Sequence, residues 1–95
     1  MRKILALLVA VLPFAVPAGE IAQDALQSGD AAAGKIWFDG SCSQCHRSLE
    51  TLLPGIPGAE ACEQAAWLDG FLVNHRAPNA DMRRDIIAYL LSQPR

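Results

Sequence analysis

Three cysteines cannot all pair within one chain, so a dense disulfide scaffold is excluded. Repeats and low-complexity tracts are lacking, which removes solenoids and disordered tails from consideration. Basic charge is scarce. Of eight Lys and Arg, two (Arg2 and Lys3) stand at the very start; without them six face ten acidic residues, a net charge of −4. No basic stripe remains, so nucleic-acid binding is not expected. No apolar run reaches the roughly 20 residues that a membrane span requires. The longest, residues 4–18, has 15 positions and contains Pro13 and Pro17.

That run has the layout of a secretory signal. Arg2 and Lys3 form a positive lead, residues 4–12 are continuously apolar, and Val16 and Ala18 are small residues before a cut after Ala18. Residues 1–18 are therefore expected to be a cleaved signal peptide, with a retained membrane anchor as the alternative. The destination is then the periplasm, an oxidising compartment, and the mature form has no membrane span. The remaining 77 residues are few for a protein-only core. A metal or covalent cofactor is a usual staple at this size.

Residues 19–28 are small and polar and read as a linker or frayed lead-in. Residues 29–39 read as a helix with Asp30 as N-cap, an apolar end at Ile36, Trp37 and Phe38, and a stop at Gly40. Residues 48–58 hold Pro54, Gly55, Pro57 and Gly58 and read as loop. Residues 59–74 read as a second helix burying Trp67, Leu68, Phe71 and Leu72, with Gly70 as a weak point. Pro78 keeps residues 75–78 out of helix. Asn79 then caps a third helix to about residue 92, with Met82, Ile86, Tyr89 and Leu90 on one face. Strand-like alternation is missing. The expectation is an all-α domain over residues 29–95 with three main helices.

The chemistry lies in Cys42-Ser43-Gln44-Cys45-His46. This is C-x-x-C-H, the attachment signature of c-type haem. Two thiols three residues apart on one turn reach the two vinyl groups of a porphyrin edge, and the next residue offers its imidazole to the iron. Cys42 and Cys45 are the expected thioether positions and His46 the proximal ligand of one covalent haem c. Three rivals share the motif. A thioredoxin-like redox pair lacks its βαβ surroundings. A zinc site needs two more ligands, with only Cys62 and His75 on offer. A structural disulfide beside a chance histidine is the third.

Residues 29–38, Gly-Asp-Ala-Ala-Ala-Gly-Lys-Ile-Trp-Phe, followed by Cys42 to His46, resemble the opening of small soluble cytochromes c. Asp85-Ile86-Ile87-Ala88-Tyr89-Leu90 resembles the terminal helix of that family. The resemblance implies a cytochrome c-like fold in which Gly34 and Phe38 on the first helix cross Tyr89 on the last. It also implies a proline carbonyl that orients His46, for which Pro54, or else Pro57, is available. Independently of the family, Gly34 lets a second helix approach its backbone, and Ile86, Tyr89 and Leu90 supply an opposing apolar face.

The family usually takes methionine from a loop as its distal ligand. Here only Met1 and Met82 exist. Met82 falls within the third helix on its core stripe, where packing is the commoner role. His75 follows the second helix, at the loop where the family carries its distal ligand. His75 is the expected sixth ligand; Met82, or a weak or open position with Asn74 or Cys62 nearby, stays as the alternative. Cys62 reads by default as a buried, inert thiol, or else as an intermolecular bridge.

No catalytic base, nucleophile or substrate pocket is legible, so an enzyme is not expected. The expected function is a periplasmic one-electron carrier between redox partner proteins, monomeric or weakly dimeric. The alternatives are a gas-binding or sensor haem protein and the haem subunit of a larger oxidoreductase.

Overall fold

The computed structural model describes residues 20–94; the expected signal segment, 1–18, lies outside them. Among the described residues the chain is all-helical, with five α-helices and one 3-10 turn: α1 Glu20–Ser28, α2 Ala31–Ser41, α3 Leu49–Leu52, the turn Leu53–Gly55, α4 Ala61–Leu72 and α5 Ala80–Leu91. None of these helices is long and apolar enough to cross a membrane.

Residues 20–28 are not a linker. They form α1, which buries Ala22 and Ala25 and packs against α4 and α5. Alanines three apart make a narrow, flat stripe that fits close against a neighbour but carries little hydrophobic signal. The Gly29 N–H closes α1 on the Ala25 carbonyl at 3.1 Å. A Cβ on Gly29 would stand 2.6 Å from that of Ala88, so Gly29 belongs to the α1–α5 contact rather than to the start of α2.

Asp30 caps α2 as expected, its Oδ1 accepting the Ala33 N–H at 3.0 Å. The helix runs through Gly40 to Ser41. Glycine weakens a helix but does not by itself stop one. Of the apolar end only Phe38 is buried, while Ile36 and Trp37 face outward. α5 follows its expected bounds closely. The Asn79 Oδ1 accepts the Met82 N–H at 2.9 Å, and Ile86, Ile87, Tyr89 and Leu90 are buried.

α2 and α5 form the principal crossing. A Cβ on Gly34 would overlap the Asp85 carbonyl oxygen, and would lie 2.7 Å from the Tyr89 Cβ. Phe38 and Tyr89 meet with ring centres 5.7 Å apart. The Asp85 carboxylate sits beside the crossing and accepts the Asp30 N–H at 3.0 Å and the Arg84 Nε–H at 2.9 Å. Burial alone would raise the pKa of Asp85. The Arg84 and Asp30 hydrogen bonds, with the Arg84 charge, outweigh that and hold it below its ordinary value.

The segment 48–58, read as loop, contains α3 and the 3-10 turn and sends Leu53 and Ile56 into the core. Burying side chains of this size contributes about 1.5–3 kcal/mol each. Pro54 near the start of the turn is compatible with helical geometry there, because that N–H has no partner to lose.

Candidate functional site

The Cys42–His46 segment leaves the end of α2 as one further turn. The Cys42 N–H donates to the Phe38 carbonyl at 2.8 Å. The Cys42 carbonyl then accepts two N–H groups, from Cys45 at 3.2 Å and from His46 at 2.9 Å. The Ser43 hydroxyl secures the turn by donating to the Asp39 carbonyl at 2.7 Å. Residues three and four apart on such a turn share a side, and Cys42, Cys45 and His46 all line one cavity.

His75 enters the same cavity from α4. A capping box of Glu60 and Glu63 starts this helix. At its other end the Ala77 N–H reaches back to the Leu72 carbonyl at 3.1 Å, with Arg76 between them at φ 73°. This is a Schellman-type end, with Arg76 in the left-handed position that glycine usually takes. Ala77 is buried beneath it.

Trp67, Phe71 and His75 recur every four residues and stack as a column. Trp67 and Phe71 have ring centres 4.8 Å apart at 11°, and Phe71 and His75 are 4.5 Å apart at 33°. The expected buried face of α4 is thus split. Leu68 and Leu72 are buried, whereas Trp67 and Phe71 are 40% and 43% exposed and line the cavity. The spacing 67, 71, 75 was available as a signal. It marks a second face, about 100° wide at most, beside the core stripe.

The cavity has a volume of about 450 Å³, within the range of cofactor sites. Phe38, Leu52, Ile56, Leu68, Leu72, Ile86 and Leu90 make its wall apolar. The His46 and His75 rings have centres 6.1 Å apart and planes at 56°. Both imidazoles are of a type that would ligate a haem iron. The two thiols, the two imidazoles and the apolar wall are the side chains and surroundings that a covalently attached haem would use.

Met82 does not line the cavity; it is half-buried and packs against the core. Asn74 and Cys62 lie outside the cavity wall too, and Cys62 is exposed rather than buried, being near the start of α4. Gly55 of the 3-10 turn and the following Ile56 line the wall; Pro54 and Pro57 do not. Among the described residues no group of three or more His, Cys, Asp or Glu is arranged to hold a metal ion. Burial pushes the Cys42 thiol up, with the Arg76 charge opposing. Redox-active dithiols depend on the opposite shift.

One part of the site was not read from the sequence. Arg83 of α5 is buried and donates through Nε to Asp69 Oδ1 of α4 at 2.7 Å. Its Nη1 donates to the carbonyls of Ala77 and Pro78, each at 3.0 Å. Arginine and aspartate 14 residues apart on polar-looking helix positions give no periodic signal for such a pairing.

Comparison of the chain with protein-family models, with curated proteins and with solved structures returns no match.

Proposed function

We propose that this chain is an exported monohaem c-type cytochrome and acts as a one-electron carrier in the periplasm. The observation that carries the reading is the convergence of Cys42, Cys45, His46 and His75 on one apolar cavity, with the two imidazole ring centres 6.1 Å apart. Cys42 and Cys45 hold the haem covalently; His46 and His75 ligate its iron. When bound, the haem supplies one-electron chemistry between ferric and ferrous iron. The chain's own work is to orient the imidazoles and exclude water. Phe38, Leu68, Ile86 and Leu90 give the cavity an apolar wall, and the Phe71 ring packs against His75. Two nitrogen ligands hold a lower potential than a His/Met pair would. The partners are an electron donor and an acceptor protein. A gas-binding role needs an open sixth position, and the His75 ring opposite His46 favours the carrier.

The test is covalent attachment. Protein purified from a host that matures c-type cytochromes, then denatured and extracted with acidified acetone, should keep its colour and carry the mass of one haem. Colour passing wholly to the solvent overturns the reading.

A further inference from the structure

We infer that Arg83 is a positioning residue for His75, tying the segment after that histidine to α4 so that the imidazole stays opposite His46. The inference rests on the haem reading above. His75 is bracketed in sequence by the groups that Arg83 binds: Asp69 six residues before it, Ala77 and Pro78 two and three after it. One guanidinium therefore joins the helix that delivers His75 and the chain that leaves it. The side chain is 9% exposed and the Asp69 carboxylate 12%, so these charge-assisted bonds are largely shielded from water.

Stability alone is a poor reason for this arrangement, since a buried ion pair can often be replaced by apolar side chains at no loss. Here such a replacement would also strip the Ala77 and Pro78 carbonyls of their donor. The segment they belong to is already under tension, because Arg76 holds a left-handed φ of 73° that favours glycine. Arg83 adds to the Ala77 N–H bond to the Leu72 carbonyl in holding Arg76 there, and His75 is its immediate neighbour. The planar fork is what allows three acceptors to be bound at once; the point charge of lysine cannot reproduce it.

The experiment uses holoprotein with its haem attached. Wild type, Arg83→Gln, Asp69→Asn and Ile87→Ala are compared by the spectrum of the reduced form, by carbon monoxide titration and by amide exchange at His75 and Ala77. Ile87 is wholly buried and outside the cavity wall, so it serves as a core lesion that lowers global stability. Carbon monoxide binds only those molecules in which His75 has left the iron, so apparent affinity follows that fraction. Arg83→Gln should raise the affinity on the order of tenfold or more, with faster exchange at His75 and Ala77. Asp69→Asn should act in the same direction but less, and Ile87→Ala should not. If Arg83→Gln yields no folded holoprotein, Asp69→Asn decides by the same criteria. Carbon monoxide affinity unchanged in both variants overturns the proposal and leaves the haem reading intact. An equal rise in Ile87→Ala also overturns it, because the effect is then general stability. Wild type without covalent haem overturns the functional reading itself.

Discussion

Gly34 lies directly against the Asp85 backbone, leaving no room for a single carbon between α2 and α5. The contact brings the helix that leads into the Cys42–His46 turn against the helix that supplies the rear wall of the cavity. Gly34→Ala should therefore destabilise by overpacking, by about 1–3 kcal/mol. Thermal unfolding of the holoprotein measures it. Glu50→Gln, on the exposed side of α3, is the control and should stay within about 0.5 kcal/mol of wild type.

Gly70 is the contrasting case. It is in the interior of α4, and a Cβ there would meet nothing within 4 Å. Gly70→Ala should stabilise by about 0.4–1 kcal/mol, chiefly by restricting the unfolded chain. Denaturant titration should show a higher midpoint with an unchanged slope.

His75 and Met82 separate by spectroscopy. His75→Ala should produce a high-spin haem that binds carbon monoxide readily. Met82→Leu keeps the core volume, should cost less than about 1.5 kcal/mol, and should leave the low-spin spectrum unchanged. The ferric wild type should lack a sulfur-to-iron charge-transfer band at the red end of the visible spectrum. Loss of the sixth ligand in Met82→Leu alone would reverse the assignment.

Asp85 sets an acid limit. Its folded pKa is below the ordinary carboxylate value, so the folded state binds the proton more weakly than the unfolded chain does. The stabilisation is full above the ordinary carboxylate range near about 3.9 and is lost as pH falls through the lower folded value. Asp85→Asn should lower stability at neutral pH. It should also flatten the fall in melting temperature on acidification below about pH 4.

What could be read from the sequence is what side-chain chemistry writes in short range. Asp30 and Asn79 cap the helices they were expected to cap, and the apolar stripe of α5 is buried. The approach of α2 to α5 at Gly34 follows from a missing side chain opposite an apolar face. The parts that escaped have weak or divided signals. α1 packs through alanines, whose burial releases little apolar area and leaves no clear stripe. On α4, Trp67 and Phe71 were assigned to the core because periodicity identifies apolar faces without saying what each one meets. The Arg83–Asp69 pair joins two helices through charges, and charges in a sequence read as solvent-facing unless the fold is known.

The cavity has walls from both ends of the described chain: Phe38 from α2, and Ile86 and Leu90 from α5. Its closure depends on contacts between distant positions, such as the Asp30–Asp85 hydrogen bond across 55 residues. The Cys42–His46 segment therefore has no rear wall until α5 is in place. Until α5 has followed and docked, both thiols are on a chain with no enclosed pocket around them. Under the proposed reading, haem attachment after export has to precede that docking. Helical domains close quickly, so the two sulfurs are accessible from every side only before α5 docks on α2.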